Sequence, residues 1–191
     1  MKTSTTILAL VLIAAPTLRA QLVNDGATNI LSNVTNSPSN VTVGTNGSFT
    51  LLVLSNNALL NNTANGVIGR NASAQSNEVR ITGATARWIM ASFANLHVGS
   101  NGAASRLTIN GGGKMQNFFN GNVGFNFSSS NNSVLVTDPG SLWSGTILFM
   151  AGGGGNQLTV SNGATVWTGG GTVGLGSASN NVVTVAGSGS I

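Results

Sequence analysis

Leu158-Thr-Val-Ser-Asn-Gly-Ala-Thr-Val-Trp167 is a short alternating strand, an Asn-Gly turn and a second strand closed by an aromatic residue. Alternation puts Leu158 and Val160 on one face and Thr159 on the other, as a half-buried strand requires. The phrase recurs along the chain. Apolar-x-apolar strand cores begin at Leu52, Val79, Leu107, Val134, Leu158 and Val183, spaced 27, 28, 27, 24 and 25 residues apart. A second landmark, a Val-Gly-like step, ends at Gly44, Gly69, Gly99, Gly124, Ala151 and Gly174, with spacings of 25, 30, 25, 27 and 23. Two landmarks keeping one beat in the range of about 20–50 residues mark a solenoid, a propeller or an array of repeats.

A slower beat lies over the first. Links after Gly44, Gly99 and Ala151 are Asn- or Gly-rich, whereas those after Gly69, Gly124 and Gly174 are Ser/Asn-rich, so the repeating unit is expected to be a pair of coils. Nine residues after each strand start come Asn61, Trp88, Gln116, Trp143 and Trp167, which predicts one shared phase for all three tryptophans. On this alignment Ile191 falls one residue before the aromatic phase, so the chain is expected to be a piece of a longer protein.

Strand pieces of three to five residues are too short to fold alone. Stacked about 4.8 Å apart, each pairs with the coil above and the coil below. Steps such as Asn46-Gly47, Asn101-Gly102, Asn110-Gly111 and Asn162-Gly163 are expected to supply corners with φ > 0. Asparagines in register are expected to stack as side-chain ladders. A propeller needs about 40–50 residues per blade, and three paired units make too few blades. The expected fold is all-β: a right-handed parallel β-helix of about six coils over residues 41–191. An N-terminal cap over residues 21–40 and a signal-peptide helix over residues 1–20 precede it.

Composition agrees. Of 191 residues, 41% are hydrophobic but only 5% charged and 5% aromatic, and the apolar residues fall in short β-branched runs. In Met1–Ala20, Lys2 precedes the apolar run from Ile7 to Ala15, Pro16 breaks it, and Leu18-Arg19-Ala20 is a cleavage site before Gln21. This is the layout of a secretory leader rather than a core helix, and the run is shorter than the ~20 residues a membrane span requires. Without Lys2 and Arg19, five cations (Arg70, Arg80, Arg87, Arg106, Lys114) face three anions (Asp25, Glu78, Asp138), too thin a balance for a nucleic-acid footprint. With no cysteine, disulfides and thiolate chemistry are excluded.

The phrases Leu158–Trp167, Asn131-Asn-Ser-Val-Leu-Val-Thr-Asp-Pro-Gly-Ser-Leu-Trp143 and Gly69-Arg-Asn-Ala-Ser-Ala-Gln-Ser-Asn77 resemble autotransporter-type repeats, the type V secretion/PEP-CTERM-associated family, and the neighbouring autotransporter-associated β-strand repeats. The resemblance covers about residues 41–191. It implies the β-helical passenger of a large exported bacterial surface protein and brings no catalytic residues. A translocator barrel or sorting segment, the hallmark C-terminal part, is not in this sequence.

Chemistry is sparse. His97, the one histidine, could serve a Ser-His-Asp triad only with Asp25 or Asp138 orienting it. Asp138 reads as part of a turn in Thr137-Asp-Pro-Gly140. Glu78 and Asp138 are the only acids that stacking could pair for glycoside hydrolysis, which needs carboxylates about 5–10 Å apart; Glu78 reads as a solvated charge beside Arg80. Gly169-Gly-Gly171-Thr-Val-Gly174 matches G-x-G-x-x-G but has neither helix nor following acid, and so reads as a coil corner. No cofactor or metal is expected.

The arginines could line one face toward acidic glycans or simply solubilise a β surface. Trp88, Trp143 and Trp167 could form a sugar-stacking strip or pack the core, while Asn110-Gly111 and Asn162-Gly163 are expected structural turns. The outward row Arg80, Thr108, Leu135, Thr159 and Thr184 is too mixed for an ice- or mineral-matching plane. The expectation is a non-enzymatic, exported surface rod, with surface glycans as candidate partners and no nucleic acid. Membrane association is expected only through export or an anchor outside this sequence. The alternative is a carbohydrate-binding or carbohydrate-processing β-helix.

Overall fold

The computed structural model describes residues 23–191, so the expected leader lies outside them. Every described element is a strand, and all pairing is parallel. Three sheets run along the chain's coils. The first has seven strands (Thr28–Ser32, Leu51–Ser55, Glu78–Thr82, Arg106–Asn110, Ser133–Thr137, Gln157–Ser161 and Val182–Ala186). The second and third have six each. Each coil passes once through all three, giving a β-solenoid of six full turns. The first turn already includes residues 28–43, so the stretch expected to be a cap contributes a complete coil.

Register turns the repeat into columns. In the first sheet Leu52, Val79, Leu107, Val134, Leu158 and Val183 stack in line, with Leu54, Ile81, Ile109, Val136, Val160 and Val185 two residues on. Both columns point inward and are buried until the last strand. That strand forms the sheet edge, and there Val183 and Val185 are 41% and 55% exposed. The residues between them, Val53, Arg80, Thr108, Leu135, Thr159 and Thr184, form the mixed outward row.

The corner leading into the first sheet carries a second kind of column. Thr50, Asn77, Ser105, Asn132 and Asn156 are buried polar residues, one per coil, and Asn181 follows them. Most reach back one coil to accept a backbone N–H: Thr50 Oγ1 from Gly26 at 2.9 Å, Asn77 Oδ1 from Thr50 at 2.8 Å, and Asn132 Oδ1 from Ser105 at 2.8 Å. Asn156 Oδ1 accepts from Asn132 at 2.9 Å and Asn181 Oδ1 from Asn156 at 2.8 Å. A buried N–H without a partner costs about 1–3 kcal/mol, so this ladder lets the chain turn a corner inside the core.

Two backbone positions make room for the ladder. The Val-Gly steps lie directly against it: a Cβ on Gly44 would stand 2.2 Å from Asn77, one on Gly99 2.4 Å from Asn132, and one on Gly124 2.3 Å from Asn156. All three glycines also have φ between +74° and +78°, which L side chains adopt at a cost of about 1–2 kcal/mol. The residue before each rung is left-handed too, whatever its side chain: Phe49, Ser76, Ala104, Asn131, Gly155 and Asn180 have φ from 54° to 71°. Asn162 and Gly163 (φ 53° and 79°) form the expected turn, closed by Ala164 N–H to Ser161 O. At the other expected turn the positive φ angles are those of Gly111 and Gly112, while Asn110 stays in its strand. Asn46-Gly47 and Asn101-Gly102 are not positive-φ corners. Glycine is needed there for space, since a Cβ would stand 2.5 Å from Asp25 at Gly47 and 2.0 Å from the Ala74 carbonyl at Gly102.

Two substitutions should move stability in opposite directions. Gly124→Ala imposes both the φ penalty and a clash with Asn156, and should cost about 2–4 kcal/mol in urea unfolding. Ala104→Gly relieves an L residue at φ 55° and should stabilise by about 0.5 kcal/mol after the entropy cost of glycine.

Candidate functional site

The three tryptophans separate. In the second sheet the inward column is Leu60, Trp88, Met115, Trp143 and Val166, whereas Trp167 pairs with Ser144 and faces out. Trp88 and Trp143 are 0% and 3% exposed and Trp167 is 64% exposed. A single shared phase is therefore corrected, and so is any stacking role for Trp88 and Trp143, which no ligand can reach. The cause is corner length. Coils containing Glu78–Thr82 and Ser133–Thr137 insert one extra residue before the turn, Gly83 or Asp138, both at positive φ. Those containing Leu51–Ser55, Arg106–Asn110 and Gln157–Ser161 do not, so a fixed nine-residue offset overshoots to Asn61, Gln116 and Trp167.

The buried tryptophans are held by a matched set from the coil before. Trp88 Nε1 donates to Asn62 Oδ1 at 2.6 Å, and Trp143 Nε1 to Asn117 Oδ1 at 2.8 Å. The amide of Asn62 in turn donates to Ala64 O, and that of Asn117 to Phe119 O at 2.9 Å. Glycines free the volume: a Cβ on Gly66 would stand 2.6 Å from Trp88 Cζ2, and one on Gly121 2.6 Å from Trp143 Cζ2. This Asn–Gly–Trp lock recurs after two coils and is the physical content of the slower beat.

The remaining candidates for chemistry disperse. Asp25 accepts the backbone N–H groups of Thr45, Asn46 and Gly47 at 2.6, 2.9 and 2.9 Å. Asp138 accepts Gly111 N–H at 3.0 Å and leads the Asp138-Pro-Gly-Ser141 turn, closed by Ser141 N–H to Asp138 O. Neither is hydrogen-bonded to His97, whose ring meets Phe125 edge-on with centroids 4.4 Å apart and whose Nδ1 has no partner. Glu78 opens its strand and Asp138 follows the end of a strand two coils on. They are therefore more than about 15 Å apart by strand and coil spacing, beyond hydrolytic reach.

Glu78 instead takes a two-pronged hydrogen bond from Arg80 at 2.7 and 3.0 Å, which raises the already high pKa of the guanidinium. The cations occupy different sheets and corners rather than one face. Among the described residues no group of three or more His, Cys, Asp or Glu could hold a metal. Gly169–Gly174 forms the turn into and along the strand Gly171–Val173, a coil segment rather than a phosphate loop.

Two grooves remain. One, about 490 Å³, is a shelf on the outer face of the second sheet around Trp167, with Gln116, Leu142, Ser144, Thr165 and Phe118. The other, about 410 Å³, lies beside the outer face of the third sheet and is walled by Phe125, Phe127, Phe149 and Leu175 with Asn122 and Asn126. Sequence reasoning missed this second groove. Its signal was Phe125-Asn-Phe127, alternating aromatics in a link whose counterparts carry Ser and Asn. Compared with protein families, curated proteins and solved structures, the chain matches none.

Asn117→Leu should leave Trp143 Nε1 buried without an acceptor and cost about 1–3 kcal/mol in urea unfolding, while Gln116→Leu, one residue away and facing out, should stay within about 0.5 kcal/mol. His97 gives a pH signature: burial lowers its pKa to about 4. The unfolded imidazole gains a proton below about pH 6.5 that the folded one refuses. Stability is therefore full above that value and declines as pH falls toward 4, by up to about 3 kcal/mol. As the one histidine, His97 accounts for the decline between pH 7 and 5, and His97→Leu should flatten that interval.

Proposed function

We propose that the chain is a non-enzymatic, exported bacterial β-helical rod of the autotransporter-passenger kind, displayed at the cell surface or released outside the cell. The observation that carries this reading is the unbroken register of three parallel sheets through six coils. Regular stacking of this kind favours a stiff spacer or display surface. The repeat phrases quoted above support the passenger assignment, and the charged start, apolar run and Ala20-Gln21 junction support export. Dispersal of Asp25, Glu78, His97 and Asp138 favours a mechanical and adhesive role over catalysis.

The second reading is a carbohydrate-binding β-helix. It is favoured by one specific observation, the exposed Trp167 on a shelf carrying Gln116, Ser144 and Thr165. An indole face flanked by amide and hydroxyl groups suits a sugar ring.

Expression of the full chain in a Gram-negative host should yield protein outside the cytoplasm whose N-terminus, by sequencing, is Gln21. Cytoplasmic protein retaining Met1–Ala20 would overturn the export reading. Digestion of that product with a broad-specificity protease should leave the solenoid intact well after an unfolded control is degraded.

A further inference from the structure

The groove on the third sheet carries a ligand chemistry of its own. We infer that it is a binding site for a neutral saccharide, with Phe125, Phe127 and Phe149 as stacking surfaces and Asn122 and Asn126 as hydrogen-bonding groups. The site is built by three successive coils. The chain leaves the strand Asn120–Val123 through Gly124 and projects Phe125, Asn126 and Phe127 past the sheet edge. One coil on, Phe149 stands beside Asn122 in register on the outer face, and Leu175 of the next coil closes the far wall.

None of these apolar side chains is used by the core. Phe125, Phe127 and Leu175 are 49%, 77% and 59% exposed, so three bare apolar side chains converge on one groove. Phe125 is held in position by the edge-on contact with His97, and the backbone of Phe125 bonds to Gly99 O at 2.9 Å. Phe125 is therefore anchored rather than loose.

The polar groups face the same space. Asn122 and Asn126 each commit an amide hydrogen to the protein, to Leu96 O at 3.3 Å and to Asn101 Oδ1 at 2.8 Å. Those bonds orient both amides, while their Oδ1 atoms take no hydrogen bond from the described protein and can accept hydroxyl groups.

No charged residue lines the groove, and His97 behind Phe125 is neutral across ordinary pH. An anionic or cationic ligand would find no counter-charge, and a purely apolar one would leave the asparagine acceptors desolvated and unpaired. A saccharide has apolar ring faces and hydroxyl rims and satisfies both. The volume of about 410 Å³ lies in the range of about 300–1,000 Å³ for small-molecule sites and suits a short oligosaccharide segment.

The test is titration of the isotope-labelled exported chain with a panel of neutral hexasaccharides (cellohexaose, maltohexaose, xylohexaose and chitohexaose), followed by amide chemical shifts. At least one should shift the backbone of Gly124, Gly152 and Gly176 and the side-chain amides of Asn122 and Asn126. A charged oligogalacturonate should not. Phe127→Ala with Phe149→Ala should weaken that binding at least tenfold with an unchanged Tm, and Trp167→Ala should leave it intact. The inference is overturned if no neutral sugar shifts these residues, or if all shifts map to the Trp167 shelf. It is equally overturned if the groove takes up an apolar dye but none of the sugars. Each of those results leaves the rod reading standing, because that reading is tested by export and protease resistance.

Discussion

Carrying a backbone around a corner inside an apolar core leaves N–H groups that no sheet can pair, and at every coil boundary but one the solenoid answers this with a side-chain oxygen. The bonds from Asn132 N–H to Asn156 Oδ1 and from Asn156 N–H to Asn181 Oδ1 are single hydrogen bonds worth about 1 kcal/mol net each. Their position gives them greater consequence than that figure suggests. They tie the height of one coil to the next, and the rungs Asn77, Asn132 and Asn156 each require a glycine beneath them. The Val-Gly step is best understood as the footprint of this ladder on the sequence.

Core volume is balanced over pairs of coils. The coil with Leu60 and Gly66 is small and the next, with Trp88 and Leu96, is large; Met115 and Gly121 then alternate with Trp143 and Leu148. Close packing tolerates neither a void nor an overlap of one methylene, so a tryptophan in one coil demands a glycine in the coil before. Asparagine then satisfies the indole N–H, which would otherwise sit unpaired in an apolar interior. A repeat of two coils arises because the smallest and largest side chains must answer each other across a coil boundary.

Much of this was legible from residues alone. Alternation in Leu158-Thr-Val and its siblings gave the inward columns, and the beat of the glycine step gave the number of coils. Two things were hidden. The extra residue at Gly83 and Asp138 shifts the phase of everything after the corner, and nothing local announces it; a tryptophan buried in one coil and exposed in another looks the same in sequence. The left-handed residues before each rung were hidden too, because Phe49, Ser76 and Ala104 are not types that advertise positive φ. The fold imposes that conformation at those positions, and the ladder beside them compensates for the strain. The phenylalanine groove joins groups from three coils, a proximity that no single stretch of sequence records.

One rung is missing. Ser105 is too short to reach the coil before it, and its Oγ and Asn77 Nδ2 are both buried without partners. The same boundary falls between the two tryptophan locks, since Trp88 ties the second coil to the third and Trp143 ties the fourth to the fifth. Between the third coil and the fourth, strand pairing is joined instead by other side-chain bonds, among them Asn122 Nδ2 to Leu96 O, Asn126 Nδ2 to Asn101 Oδ1 and Ser129 Oγ to Gly102 O. In a stack whose cohesion is a sum of nearest-neighbour contacts, this boundary differs from its neighbours in having neither a corner rung nor a tryptophan lock. Coil-to-coil cohesion along the stack is therefore carried by different side-chain devices at different boundaries, and a change in one device is felt at one boundary rather than along the whole stack.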